Sequence, residues 1–395
     1  MADSPVPGPA PPLRILQVNS AMTGGGTDDQ CVKLALALHQ LGQTSALAGP
    51  DDREVSRVVR QLGLPFHPTP PEGKLKRGFI LAVARLIRRE RIQIVHGHHG
   101  RDLWPAILAA RLAGTRPQVV LSRHLAKSPG SWPSRHLLLR CCAAVIAVSE
   151  FVARILREGV ADPHSPEKER HWRGPIRGPL HKIRVIHGGI DTDRFQPADA
   201  AEQRRQWGLA PDDFAFGVVG AYGRPRGKGQ REFLAAAARI APRLPHARFL
   251  IVGRGDLGDQ LRSDIARLGL TGRAWLTPYS QDMPAAMNAL DCLVHPQVGT
   301  EAFAVVVLEA LACGRPVIAS ALDGIPEAFA AGNYGCLVPP ESIDELAAAL
   351  LDWGARPRPT DAERAALHAR VAAEYSTRAF GGRMLRCYRE LLAGG

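Results

Sequence analysis

The sequence predicts an α/β protein of two doubly wound, Rossmann-like domains facing each other across a cleft. Three observations predict it. Short apolar strands alternate with helix-period segments, the pattern of a parallel sheet with helices on its faces. The alternation lapses around residues 196–210 and then starts again, so there are two series joined by a linker. A glycine-bearing turn closes the first strand of each series, as TGGGT (23–27) and GAYG (220–223), where a parallel sheet turns into its first helix. With 395 residues, 45% of them apolar and 22% charged, the chain has material for two cores.

The first series opens with the strand LRILQV (13–18), the glycine turn and the helix-period run DDQCVKLALALHQLG (28–42). It continues through a helical pattern over 75–91, strand IQIVHG (92–97), a helix over 103–113, and strands QVVLSRH (118–124) and AAVIAVS (143–149). Residues 161–181, dense in proline, glycine and charge, break the pattern and read as a surface insertion. IRVIHGGIDTDRFQP (183–197) brings the first domain to its end at residue 196. The second domain, 210–376, carries strands FAFGVVGAYG (214–223), ARFLIVG (247–253), RAWLTPY (273–279), CLVHPQ (292–297) and RPVIAS (315–320), with helices between them. In open parallel sheets the ligand sits at the carboxyl ends of the strands, so two facing sheets favour a two-part substrate in the cleft.

Composition excludes several classes. Seven cysteines, scattered and without a CxxC spacing, support neither a disulfide framework nor a zinc site, and point to a reducing, cytoplasmic compartment. The opening MADSPVPGPAPP has neither the basic start nor the apolar stretch of a secretion signal, and no apolar run reaches the ~18 residues that span a bilayer. The net charge of +12, concentrated in the first 200 residues, suggests an anionic partner. Nucleic acid is disfavoured, because aromatic residues make up only 6% of the chain and no recognition motif is present.

Within GTEAFAVVVLEALACGRPVIAS (299–320), Glu301 and Glu309 stand in an otherwise apolar run. An ionised carboxylate taken out of water costs several kcal/mol unless it is paired, so a ligand is their natural compensation. The longer stretch EAFAVVVLEALACGRPVIASALDGIPEAF (301–329) resembles the signature of the family 4 retaining glycosyltransferases of the GT-B fold. IVGRGD (251–256), HGGIDTDRF (187–195), IAVSE (146–150), IVHGHH (94–99) and TGGGT (23–27) stand in the same order as in that family. The chain departs from the pattern at Ala302 and Ala304, where glycines are usual. It departs again at Asp323 for glycine, His187 for asparagine and Ala221 for arginine.

The resemblance implies roles. Glu309 accepts the two ribose hydroxyls of a nucleotide; read without the resemblance, it could be an acid favoured by a helix dipole. Glu301 takes hydroxyls of the transferred sugar, helped by the backbone N–H groups of Phe303 and Ala304. Lys228 and Arg224 hold the diphosphate, although Arg226 could serve equally and a solvated basic loop is the alternative. Gly24 and Gly25 offer N–H groups to phosphate or substrate oxygens, or form a plain tight turn. His124 lies near the reacting sugar or merely caps its strand. The final helix, 377–393, crosses back to the first domain, which makes 377–395 a third segment.

No metal is expected. The histidines of HGHH (96–99) are read as pointing apart, and DTD (191–193) as turn chemistry. GRGDLG (253–258) lacks the downstream acid of a nicotinamide enzyme. The donor substrate would be a nucleotide diphosphate sugar, with no further cofactor. The acceptor would be a cell-envelope or lipid-linked glycan, and a nucleotide-sugar-binding protein without turnover is the rival. In the basic helix of 74–91, Leu75, Phe79, Ala82, Val83 and Leu86 make the apolar stripe, while Lys74, Arg77, Arg85 and Arg88 lie off it. Its basic face suits an anionic membrane surface, so peripheral attachment at the inner face is expected.

Overall fold

The computed structural model describes residues 11–70, 76–159, 174–223, 227–278 and 280–394. Seven parallel strands form the first sheet: β1 (Arg14–Val18), β2 (Thr44–Pro50), β3 (Phe66–Thr69), β4 (Ile94–Gly97), β5 (Gln118–Arg123), β6 (Ala144–Ala147) and β7 (Ile183–Val185), in spatial order β3-β2-β1-β4-β5-β6-β7. Six more form the second: β8 (Phe214–Val219), β9 (Ala247–Val252), β10 (Ala274–Leu276), β11 (Cys292–His295), β12 (Val317–Ser320) and β13 (Gly335–Val338), in order β10-β9-β8-β11-β12-β13. Each order reverses once, between β1 and β4 and between β8 and β11. The loops leaving those paired strands diverge there and open a crevice.

Side chains alternate across β1 as the pleat requires. Leu16 and Val18 join a core that runs through Ile190, Phe195 and Trp207 into one face of the second sheet, at Val219, Leu293 and Val317. Ile15 faces the other way, with Ile94, Val120 and Ile146, and packs on Leu34 and Leu38 of helix Gly26–Gln40 and on Phe380, Met384 and Tyr388 of helix Thr377–Ala393. The last helix thus completes the core of the first domain. The opposite face of the second sheet, at Phe216, Phe249 and Ile318, packs on Phe233, Leu350 and Trp353.

Four strands go beyond the sequence reading: β2, β3, β13 and the three-residue β7. TSALAGP is built of small residues, FHPT carries a proline and GCLV is four residues long, so none shows a strong apolar period. One expectation is corrected. Of the surface insertion, 161–173 lie outside the described residues, but its end is packed: Ile176 is buried and donates its N–H to Leu156 O at 2.8 Å. The linker is itself structured. It contains helix Ala201–Gln206, which Arg204 ties to the second domain through Ala289 O and Asp291.

Candidate functional site

On the second domain, the loop after β8 carries Lys228 and the loop after β11 carries Glu301. Lys228 Nζ meets Glu301 Oε2 at 2.6 Å, with the two side chains 34% and 18% exposed. Local backbone holds both ends of this pair. Gly229 lies at φ +83°, and a Cβ there would fall 1.8 Å from Pro296 O, so only glycine lets the β8 loop close against the β11 loop. Lys228 donates its N–H to Gln230 Oε1 at 2.7 Å, and Glu301 donates its own to Asp323 Oδ2 at 3.1 Å. Asp323, the departure from glycine noted in the sequence, keeps a glycine-like φ of +53°. Arg224 and Arg226 lie outside the described residues.

Phe303 and Ala304 lead into helix Val305–Ala312, and their backbone N–H groups are donated to no described residue. The buried Phe303 ring stacks on His187, with centroids 5.0 Å apart. Glu309 is the fifth residue of this helix, beyond the first turn, so the helix-dipole reading does not account for it. It is partly exposed, and its carboxylate makes no hydrogen bond or ion pair with a described residue. Burial pushes its carboxyl up to about 7, against the opposing pull of Lys33; Asp29 adds to the rise and Arg194 opposes it. His295, 1% exposed, points neither ring nitrogen at a partner among the described residues, and burial together with the Lys228 charge pushes it down to about 3.

On the first domain, Asp28 organises the loop after β1. It accepts from Asn19 Nδ2 at 2.7 Å and from the Gly24 N–H at 2.8 Å, and meets His99 Nε2 at 2.8 Å. Burial raises its carboxyl, but these hydrogen bonds outweigh that and hold it below the usual carboxylate range. Gly24 therefore spends its N–H inside the protein. Gly25, at φ +135°, faces open space with its own N–H undonated among the described residues.

The histidine geometry corrects the sequence reading. His96 and His98 do not point apart: residues two apart on a strand share a face, and their rings stack at 4.3 Å, with His124 stacked 5.8 Å beyond. His96 uses both nitrogens within the protein, on Tyr388 Oη and Ser122 Oγ. His124 Nε2 is buried with no partner among the described residues. Burial pushes His96 and His124 down to about 3. Among the described residues no group of three His, Cys, Asp or Glu side chains is placed to hold a metal.

Glu327, to which the sequence reading assigns no role, bridges the cleft. Its carboxylate accepts the N–H groups of Glu150 and Phe151 at 2.7 and 2.9 Å and meets His187 Nε2 at 2.9 Å. Those N–H groups open helix Glu150–Glu158 of the first domain, so an acid from the second domain caps a helix in the first. Ser149, the N-cap of that helix, also donates its Oγ to Ala302 O at 2.7 Å. The acid after the proline in GIPEAF is the signal that could have found Glu327, but its partners are distant in sequence.

Two family models match the chain and together cover more than half of it: "Glycosyltransferase Family 4" over residues 24–166 and "Glycosyl transferases group 1" over 213–354. Among curated proteins, a D-inositol 3-phosphate glycosyltransferase of Mycobacteroides abscessus is 36% identical over 177 residues, which is 43% of this chain and 38% of that protein. A phosphatidyl-myo-inositol mannosyltransferase of Mycobacterium tuberculosis is 35% identical over 167 residues, 42% of each. The matched region thus spans about two-fifths of the length of these relatives. Among solved structures, a glycosyltransferase from Rickettsia africae matches with a TM-score of 0.80 at 21% identity, covering 97% of this chain and 100% of that one. Anabaena HepE in complex with UDP and glucose matches with a TM-score of 0.74 at 21% identity, over 96% of this chain and 100% of that one. These likenesses establish the fold as two Rossmann-like domains in the GT-B arrangement.

Proposed function

Because the chain belongs to the group 1, family 4 glycosyltransferases, we propose that it moves a sugar from a nucleotide diphosphate sugar to an acceptor with retention of anomeric configuration. The observation that carries this reading is the Lys228–Glu301 pair at the strand reversal of the second sheet, with the undonated N–H groups of Phe303 and Ala304 beside it. In this reading Lys228 neutralises Glu301 until the donor arrives. Its ammonium then turns to the diphosphate, where charge grows as the sugar leaves, and Glu301 accepts sugar hydroxyls. Glu309 accepts the ribose hydroxyls. Arg224 or Arg226 adds charge to the diphosphate clamp, and Gly25 and His124 face the acceptor side.

The glycosidic bond to the diphosphate breaks on the face where the acceptor oxygen bonds, and the acceptor proton passes to the leaving diphosphate. The acceptor is a glycan or a lipid-linked molecule, and the strongly basic first domain suits one presented at an anionic membrane surface. Among the described residues no helix is long and apolar enough to cross a membrane, so attachment would be peripheral.

Turnover of a panel of nucleotide sugars, on a pool of oligosaccharide, lipid-linked and inositol-phosphate acceptors, tests the proposal. The product linkage, read by NMR, should carry the anomeric configuration of the donor. Nucleotide binding without turnover on any pair would leave only a binding protein, and an inverted product would overturn the mechanism.

A further inference from the structure

The second domain carries a cavity of ≈ 800 Å³ at the edge away from the cleft. Arg315 stands just before β12 and Asp291 just before β11, so the cavity lies at the amino ends of strands whose carboxyl ends carry the donor-site loops. The six residues of β8 set the two edges roughly 20 Å apart. The walls come from the linker helix Ala201–Gln206 and the start of helix Asp361–Tyr375.

Arginine dominates this cavity, but not every arginine is free to act. Arg204 and Arg358 share the carboxylate of Asp291, at 3.0 and 2.8 Å, and also bond the Asp213 carbonyl. Asp291 is used up, since it accepts the Ala215 N–H as well. Arg315 is left without a carboxylate. It is 8% exposed, the one hydrogen bond of its guanidinium to a described residue runs from Nη2 to Asn288 O at 2.6 Å, and its Nε is buried with no partner among the described residues. Arg364 bonds Asn288 Oδ1 at 2.9 Å and, at 3.4 Å each, the exposed Asp361 carboxylate and Ala198 O, while its Nε is buried with no partner among the described residues. Burial and the neighbouring Arg364 charge press the Arg315 guanidinium down to about 10, against the weaker opposing pull of Asp291.

A buried guanidinium with vacant donors beside a second one is costly unless an anion completes it. We propose that this cavity is a second ligand site, which takes a phosphate oxyanion between Arg315 and Arg364, as free pyrophosphate or as the diphosphate of a nucleotide. Planar guanidinium forks match phosphate oxygens in pairs, and the cavity is within the size range of small-ligand sites. Bound there, the anion ties the segment before β12 to the helix that leads into the last one.

The test uses the full chain carrying Lys228→Ala, which removes the ammonium of the proposed donor clamp, and titrates it with inorganic pyrophosphate and, separately, with a nucleoside diphosphate. Calorimetry should show binding of at least one of them, and the same ligand should raise the melting temperature. Adding Arg315→Met or Arg364→Gln should weaken that binding tenfold or more and abolish the rise. Arg315→Met should fold, because it replaces an unpaired buried charge with an apolar chain of similar length; Arg364→Gln, at the cavity rim, gives an independent reading. A gain with pyrophosphate alone identifies the free anion, and one confined to the nucleoside diphosphate identifies a nucleotide. Absence of binding by both ligands, or binding unchanged by both substitutions, overturns the site.

Discussion

At the residue scale, the two acids of the donor domain differ in their surroundings and should fail differently. Glu301 already holds Lys228, whereas the Glu309 carboxylate has no hydrogen-bond partner among the described residues and is pushed up to about 7. Glu309→Gln should weaken both nucleoside diphosphate and donor. Glu301→Gln should spare nucleoside diphosphate binding and lower kcat by about tenfold for each ~1.4 kcal/mol by which the transition state is less stabilised. Equal loss of nucleoside diphosphate affinity in both variants, by calorimetry, would reverse the assignment. The raised carboxyl also sets a pH dependence. With the folded value above the unfolded one, its contribution to stability is fully present below about 4.5 and is lost as pH rises through about 7. Glu309→Gln should therefore be more stable than the parent near pH 8, by up to ~3 kcal/mol, with the two converging near pH 4.5 in thermal or denaturant unfolding. Lys228→Ala should cut turnover while leaving affinity for the plain nucleoside intact. If turnover survives in Lys228→Ala and is abolished in Arg226→Ala, the diphosphate clamp lies two residues earlier.

At the scale of elements, helix Glu150–Glu158 belongs to one domain and draws its cap from the other. Burial raises the Glu327 carboxyl, but bonds from His187, Phe151 and Glu150 outweigh that and hold it below its ordinary range. Its contribution to stability is therefore present above the ordinary carboxylate value and lost as pH falls through the depressed one. Glu327→Gln keeps the shape and removes the charge. It should cost about 1–2 kcal/mol of stability near neutral pH and reduce the sensitivity of the melting temperature to acid. An unchanged acid profile would show that the bridge carries no weight. Legibility also divides at this scale. The order and type of most strands and helices follow from the apolar period, as the helix expected over 103–113 and found at Leu103–Ala113 illustrates. β2 and β3 were not legible, because small residues and a proline leave no period to count, and their strand character comes from pairing with β1 and with each other.

At the scale of the whole molecule, the excess charge has a place. Helix Arg77–Arg89 buries Phe79, Val83, Leu86 and Ile87, and leaves Arg77, Arg85, Arg88 and Arg89 exposed beside Leu81, 46% exposed. Lys74 and Leu75, which the sequence reading places on this helix, lie outside the described residues. The apolar stripe covers the protein's own core, so any docking through this helix must rely on charge, at roughly 1 kcal/mol per basic residue near an anionic leaflet. Liposome co-sedimentation should show binding that requires anionic lipid, falls steeply from low to physiological salt, and weakens when Arg85, Arg88 and Arg89 become Gln. Binding that ignores salt, or none at low salt, would redirect the search to a soluble acceptor.

The sequence by itself determined two α/β series, a ligand at the carboxyl ends of their strands, and the pair of acids too costly to bury without a ligand. Those conclusions depend on periodicity and on spacing along one element, which are local properties of the chain. Only the tertiary structure decided that Lys228 answers Glu301, that Glu327 caps a helix 177 residues upstream, that three histidines stack, and that Arg315 is left without a carboxylate while Asp291 serves two other arginines. Each of these is a choice of partner across the fold. Charge and hydrogen-bond energies fall away within a few ångström, and sequence distance carries no record of which groups the fold brings that close.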